Sequence, residues 1–341
     1  MVTETQAGWG FRFTTVLAAG AFLAVAGCGG GETFGPAAEP AESPPVKVSP
    51  AGKVVSIGAG AEGMAFDEGS GTVALGLREP YRLAFVDPAK LFITYQVPIP
   101  NPVRHLAVKP GGNLVAVPAE SANTVFEISP NRGVVNRVAT GEHPHDAAFA
   151  DGKLFSANEF GDTISVIEDG EDVATLPAPV QPGGIASVGD RYLAVIAVSE
   201  RVLTVYDART NEELGVTPAG TGPTHIESIG GDVFVADTEG DQLLRFSVGS
   251  NPEQVDSVAA AGTPYGIAVD SRRERVWVTL TATNQLAGYR IDGPTMQRFA
   301  TYPTIRQPNS VTVNPESGNV FVASRTEGQI QRIPIPEQDD Q

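Results

Sequence analysis

The four histidines are the side chains of this sequence with the clearest chemical potential. They are His105, His143, His145 and His225. All four fall in or next to one short phrase that recurs along the chain. Imidazole titrates near neutral pH, so a histidine cluster can bind an anionic small molecule, ligate a metal ion or exchange protons with a substrate.

The recurring phrase places these histidines in equivalent structural positions. It consists of a proline or small residue, two variable positions, an apolar residue and usually an alanine. The apolar position falls at Met64, Leu106, Ala147, Ile185, Ile226, Ile267 and Val311. The spacings of 42, 41, 38, 41, 41 and 44 residues have the period of a propeller blade.

Each repeat continues in the same way after the phrase. A Gly/Asp turn leads into an apolar strand such as 233–236, a polar loop follows, and alternating strands such as 163–167 and 134–138 complete the unit. Four short antiparallel strands per repeat form one blade. The sequence therefore predicts an all-β fold, a seven-bladed β-propeller of four-stranded antiparallel blades over residues 51–337.

The two ends of the repeat region are predicted to complete one blade together. The last repeat ends after its third strand, near 329–335, and lacks a fourth. Residues 53–58 have the alternating pattern of the missing strand and precede the first phrase. Pairing this N-terminal strand with the C-terminal blade would close the ring and remove its exposed edges.

An aromatic phrase on the second strand of several repeats resembles the YVTN-repeat propellers. Its copies are Phe155-Ser156-Ala157-Asn158, Phe234-Val235-Ala236-Asp237, Trp277-Val278-Thr279-Leu280 and Phe321-Val322-Ala323-Ser324. The resemblance spans about 53–336 and implies a propeller fold. It does not indicate a particular function.

The N-terminus has the pattern of an export signal. Arg12 precedes an apolar run over 13–26, which as a helix would be about 21 Å long, too short for a hydrocarbon core of about 30 Å. The run ends in Val25-Ala26-Gly27-Cys28, which resembles a bacterial lipobox. The resemblance implies that 1–27 are a signal peptide and that Cys28 carries acyl chains in the membrane. We therefore expect an exported protein, lipid-anchored to the cell membrane on its extracytoplasmic side.

The segments flanking the propeller are predicted to lack a core. Residues 28–50, rich in glycine and proline, are expected to form a semi-extended tether, and 338–341 form an acidic tail. The whole layout resembles uncharacterised propeller lipoproteins of Gram-positive bacteria.

Charge and cysteine content exclude some classes of protein. The net charge of −17 argues against nucleic acid as a partner, because a nucleic-acid binder needs a basic surface. Cys28 is the sole cysteine, so no intramolecular disulfide can form. We expect a monomer.

The recurring phrase would form the loop entering each innermost strand, at one mouth of the central channel. The loops between second and third strands open on the same side. His105 and His225 occupy the same place in repeats two and five and should face one another. The candidate ligand-binding residues at this mouth are Glu62, Arg104, His105, His145, Asp146, His225, Tyr265, Arg306 and Asn309. Converging polar loops around water would also make the mouth polar without any ligand.

Metal binding is not favoured by the spacing of these histidines. No His-x3-His pair occurs on one element. The sequence therefore predicts no cofactor, although a metal ion at the channel mouth stays an alternative.

Three functions fit this layout. The first is a binding scaffold at the cell surface for an envelope protein, a glycan or a small anionic ligand. The second is a lactonase- or lyase-like enzyme, since Asn158-Glu159 and Arg104-His105 are similar to phrases of lactonase-type propellers. That resemblance implies substrate binding by Arg104 and acid/base roles for His105 or His145 and Glu159. The third is an accessory subunit of a membrane complex.

Overall fold

The structure, a computed structural model, describes residues 35–58 and 60–336. The expected signal peptide (1–27), the lipidation site Cys28 and the acidic tail (338–341) lie outside the described residues. No helix in the described part of the chain is long and apolar enough to span a membrane.

Within those residues the chain forms seven four-stranded antiparallel sheets, which are the blades of a β-propeller. The first strand of the chain is β1 (Lys53–Ser56). Blade 1 contains β2 (Ala61–Asp67), β3 (Thr72–Arg78), β4 (Tyr81–Val86) and β5 (Ile93–Pro98). Blade 2 contains β6 (Ala107–Val108), β7 (Val115–Ala119), β8 (Thr124–Ser129) and β9 (Gly133–Ala139), with a 3₁₀ turn at Glu120–Ala122. Blade 3 contains β10 (Pro144–Ala150), β11 (Lys153–Asn158), β12 (Thr163–Glu168) and β13 (Glu171–Pro177).

The other blades repeat this order. Blade 4 contains β14 (Pro182–Val188), β15 (Tyr192–Ala197), β16 (Val202–Asp207) and β17 (Glu212–Pro218). Blade 5 contains β18 (Pro223–Ile229), β19 (Asp232–Asp237), β20 (Gln242–Ser247) and β21 (Glu253–Ala259). Blade 6 contains β22 (Pro264–Asp270), β23 (Arg275–Leu280), β24 (Gln285–Asp292) and β25 (Thr295–Pro303). Blade 7 contains β26 (Pro308–Val313), β27 (Val320–Ser324) and β28 (Gln329–Ile333).

The ring closes through the N-terminal strand. β1 pairs antiparallel with β28, with Val54 opposite Gln331 and Val55 opposite Ile330, and becomes the outermost strand of blade 7. The predicted seven-bladed propeller and its closing strand are therefore confirmed. Because β28 gains a partner, the last blade matches the other six in strand number.

The core lies between adjacent blades. The aromatic residues of the second strands, Phe155, Phe234, Trp277 and Phe321, are fully buried. Phe155 of blade 3, for example, packs with Ile185 of blade 4 in one cluster. Burial of such a ring contributes about 2–3 kcal/mol, so the repeated aromatic position stabilises each contact between blades.

A β-bulge opens the innermost strand of most blades. In blade 3 the pairing register shifts between Pro144 and Asp146, and in blade 5 it shifts between Pro223 and His225. A bulge leaves one residue outside the ladder and redirects its side chain. The bulged residues of these two blades are His145 and Thr224, and both line the channel mouth.

Residues 35–45 form a strap across the mouth, from blade 4 to blade 7. At one end Ser199 Oγ donates a hydrogen bond to the carbonyl of Gly35 (2.8 Å). At the other end the amide of Gln307 pairs with the strap backbone, donating to Ala41 O (2.9 Å) and accepting from Ser43 N (2.9 Å). This part of the predicted tether is therefore hydrogen-bonded to the propeller.

Candidate functional site

A cavity of about 300 Å³ lies at the channel mouth beneath the strap. Strap residues Ala37, Ala38 and Glu39 form part of its wall. The propeller contributes Arg104, His105, Glu120, His143, His145, Glu159, Phe160, Gln181, Gly183, Val198, Thr224, His225 and Tyr265. The four histidines that sequence analysis singled out therefore all border one covered space.

A second cavity of about 550 Å³ occupies the central channel. Arg104, His105 and His225 line both cavities and so lie between them. Glu227 lines the channel, where burial, together with the charge of Asp146, raises its pKa to about 8.

Two histidines and two glutamates converge on one wall of the mouth cavity. The His145 Nδ1 atom lies 2.9 Å from Glu120 Oε1 and 3.2 Å from Glu159 Oε2. The His143 Nδ1 atom lies 3.2 Å from Glu159 Oε2. One nitrogen or oxygen from each of the four side chains lies within 4.8 Å of the others. We call Glu120, His143, His145 and Glu159 the His–Glu quartet.

Equivalent positions of two neighbouring blades supply the glutamates. Glu120 directly follows β7 in blade 2, and Glu159 directly follows β11 in blade 3. Both begin the loop between the second and third strands, which opens at the mouth. The two histidines come from the loop and bulge that open β10.

Local geometry at β10 brings His143 and His145 to the same two glutamates. His143 has φ of 61°, a left-handed conformation that ends the preceding loop. His145 is the bulged residue of β10, and a bulge redirects the side chain of the residue left outside the ladder. Both side chains contact Glu120 and Glu159.

Electrostatics hold part of the quartet in its charged form. Burial alone lowers the pKa of His145, but the close contacts and charges of Glu120 and Glu159 outweigh it and raise that pKa to about 9. Burial works in the opposite direction on Glu159, yet its pKa is lowered to about 2 by His145, with further contributions from Gln181 and His143. Both pKa shifts favour the charged form of the side chain, so His145 and Glu159 form an ion pair near neutral pH.

His105, His225 and Tyr265 form a ring-stacked group beside the quartet. The His105 ring centroid lies 4.8 Å from that of His145 and 4.7 Å from that of His225. The His225 ring meets Tyr265 edge-on at 4.4 Å. The rings of His105 and His225 are thus in contact with one another. Burial lowers the pKa of His105, and it lowers the pKa of His225 further because the neighbouring His105, His145 and Arg104 repel a charge there.

Four candidate residues make other contacts. Glu62 is buried with Arg78 and Arg325 as ionic partners, and Asn309 Nδ2 donates to Glu62 Oε1 (3.4 Å). Asp146 accepts a hydrogen bond from Ile185 N (3.0 Å), which joins blade 3 to blade 4. Arg306 donates to Ser43 O (3.1 Å) and so holds the strap. None of these four lines the cavity beneath the strap, among the described residues.

The remaining candidates, Arg104, His105, His145, His225, Tyr265 and Glu159, do line that cavity. The candidate site residues of the sequence analysis did not include Glu120, His143 or the strap. The equivalence of residues 120 and 159 across repeats could have paired the two glutamates. No sequence pattern links residues 37–39 to the mouth.

Comparisons with known proteins bear on the fold. No protein-family model and no curated protein matches the sequence. A streptogramin B lyase structure aligns with a TM-score of 0.69 at 17% identity, covering 82% of this chain and 96% of that one. Virginiamycin B lyase from Staphylococcus aureus aligns at 0.69 and 15% identity, with 83% and 99% covered. A chain of the mitotic checkpoint complex aligns at 0.73 and 11% identity, with 88% and 98% covered. At these identities the likeness shows the propeller fold alone, which lyases and a subunit of a larger assembly share.

Proposed function

We propose that this chain is an exported, lipid-anchored propeller that binds a small ligand in the cavity beneath the strap. The observation that carries the proposal is the cavity itself. Polar side chains from several blades converge on it, and a segment of the same chain forms part of its wall. Concave sites with a few convergent polar groups are where proteins bind small molecules.

The anchoring part of the proposal rests on the N-terminal sequence. Val25-Ala26-Gly27-Cys28 follows a short apolar run, and its cysteine has no other thiol in the chain to pair with. Two acyl chains on Cys28 would give stable membrane attachment where one would be marginal.

Labelling with a palmitate analogue tests the anchor. The native chain should incorporate label and sediment with membranes when it is expressed in a bacterial host. A Cys28→Ser variant should do neither. Label on the variant, or a native chain found only in the soluble fraction, would refute the anchor while leaving the cavity proposal untouched.

The charges of the cavity wall favour a particular ligand chemistry. Glu39, Glu120 and Glu159 contribute three carboxylates to the wall. Arg104 and the charged His145 offset two of them. A ligand that carries a cation or several hydrogen-bond donors therefore complements the wall better than the small anionic ligand that was one of the three partners considered from sequence.

A thermal-shift screen tests ligand binding at the mouth. Residues 29–341 are screened against metal salts, lactones, sugar acids and envelope glycans. A His105→Ala/His145→Ala/His225→Ala triple variant is screened in parallel. The control is a Val173→Ala/Val216→Ala/Val255→Ala variant on exposed outer strands. The proposal expects a ligand that stabilises the native chain and the control but not the histidine variant. Equal behaviour of all three proteins across the library would contradict it.

A second candidate is acid/base catalysis in the same cavity, as in a lyase or a lactone hydrolase. The specific observation is the proximity of three candidate groups. The His105 ring lies beside the His145 ring, and His145 pairs with Glu159. Turnover of cyclic esters by the native chain, lost in a His105→Gln variant that still binds the ester, would favour this function over binding alone.

A further inference from the structure

The His–Glu quartet has the spacing of ligands around one metal ion. Zinc binds histidine nitrogen and carboxylate oxygen at about 2.0–2.2 Å, and a tetrahedral arrangement at that radius sets neighbouring ligand atoms about 3.3 Å apart. With one atom taken from each side chain, His145 Nδ1 lies 2.9 Å from Glu120 Oε1 and 3.2 Å from Glu159 Oε2, and His143 Nδ1 lies 3.2 Å from Glu159 Oε2. All four side chains can place one ligand atom within 4.8 Å of the others. An ion at the centre therefore requires the longest of these separations to shorten.

Unsatisfied buried atoms in the quartet independently indicate a missing partner. Glu120 Oε1 and His145 Nδ1 are both inaccessible to solvent and have no hydrogen-bond partner in the described structure. They lie 2.9 Å apart, but not with the geometry of a hydrogen bond. A buried polar atom without a partner is costly, and a shared cation would satisfy both.

Residues around the quartet hold its side chains in place. Gln181 Nε2 donates to Glu159 Oε1 (2.8 Å), which leaves Oε2 directed at the two histidines. The Phe160 ring stacks on His143, with centroids 4.2 Å apart. Metal sites commonly fix their ligands through such outer contacts.

We propose that Glu120, His143, His145 and Glu159 bind one divalent transition-metal ion of the zinc type. Two imidazoles in the ligand set favour zinc and its neighbours over magnesium and calcium, which prefer oxygen ligands. The metal would lie in the wall of the mouth cavity, where it would displace the proton of His145 into solvent and add positive charge to the wall. The inference thus rests on the proposed ligand site and names part of its chemistry.

Zinc titration tests the proposal. The purified chain is stripped with EDTA, dialysed and titrated with zinc chloride in a calorimeter, and its bound metal is measured by mass spectrometry. The native chain should bind one zinc ion. His143→Ala and Glu159→Gln should each weaken binding severely, and Gln181→Ala should weaken it about tenfold by releasing Glu159.

A Glu239→Gln variant is the matched control. Glu239 is an acidic residue of a blade 5 loop that pairs with Arg201 and lies outside the quartet. It should bind zinc like the native chain. No zinc binding by the native chain, or equal affinity in the native chain and both ligand variants, would overturn the proposal.

Cobalt spectroscopy of the native chain makes the test independent of how the variants fold. Four-coordinate Co²⁺ in the quartet should give strong visible absorption that zinc displaces. A spectrum identical to that of aqueous Co²⁺ would overturn the proposal.

Repeating the ligand screen with zinc-free protein separates this proposal from the proposed function. Organic ligand binding without any zinc binding would remove the metal and leave the ligand site standing. Zinc binding at the quartet without any organic ligand would support the metal inference and remove the wider ligand proposal.

Discussion

At the scale of single residues, the titratable side chains of the mouth and channel have shifted pKa values. Burial and the mutual contacts of His145 and Glu159 shift their pKa values in opposite directions. Deeper in the channel, no cation of the described residues lowers the pKa of Glu227. Its pKa is raised to about 8 by burial and by the charge of Asp146.

Replacing Glu227 tests whether its pKa is raised in the folded protein. A glutamate has a pKa of about 4.3 in an unfolded chain, so between roughly pH 4.3 and 8 the folded protein binds the extra proton. Stability should therefore fall as pH rises through this window, by up to about 1.4 kcal/mol per pH unit, and level off above it. Glu227→Gln should remove this slope in denaturant unfolding measured from about pH 5 to 9.

Glu253→Gln on an exposed strand is the control for the pH experiment. It should keep the slope of the native chain. Parallel stability profiles for native and Glu227→Gln proteins would show that Glu227 ionises normally in the channel.

At the scale of elements, the strap determines how enclosed the mouth cavity is. Gln307 is central to it, because its side chain pairs with the strap backbone as a neighbouring strand would. If the strap were released from the propeller, its residues 37–39 would no longer form part of the cavity wall.

Gln307→Ala should loosen the strap while leaving the propeller folded. The change removes hydrogen bonds to Ser43 N and Ala41 O, which costs about 1–3 kcal/mol for buried groups. Hydrogen exchange at the amides of Ala41 and Ser43 should speed up accordingly, while strand amides stay protected. Gln297→Ala, at an exposed strand position, should leave strap exchange unchanged. If Gln307→Ala also left it unchanged, the strap would be held by other contacts.

The sequence predicted the strands but not the details that build the site. The period-two pattern and turn residues placed every blade, and the repeat phrase brought His105, His145 and His225 to one mouth. The bulge at β10 was not predictable, because one unpaired residue leaves no mark in the apolar pattern. The strap was missed because its Pro/Ala composition has no period, and its partner Gln307 lies 264 residues from Ser43.

At the scale of the whole molecule, closure of the ring couples the two ends of the chain. β1 is covalently N-terminal but belongs to blade 7, so unfolding of the last blade must release it. Stability of the propeller should depend on that contact more than on an equivalent pair within one blade.

A disulfide across the closure tests this coupling. In a Cys28→Ser background, Ser56→Cys with Gln329→Cys links directly opposed residues of β1 and β28. The control, Gln242→Cys with Ala259→Cys, links opposed residues within blade 5. Because the closure disulfide encloses most of the chain, it should stabilise by about 2.4 kcal/mol more than the short-loop control. Equal increases in Tm would argue that ring closure adds nothing beyond local strand pairing.

We propose the mouth beneath the strap as a ligand site, and the His–Glu quartet in its wall as a metal site. Anomalous diffraction at the zinc absorption edge, from crystals of the zinc-loaded chain, locates bound zinc without any variant. One strong peak is expected among Glu120, His143, His145 and Glu159, at about 2.0–2.2 Å from their ligand atoms. A map with no peak there, or with zinc bound only at surface carboxylates, would rule out the metal site.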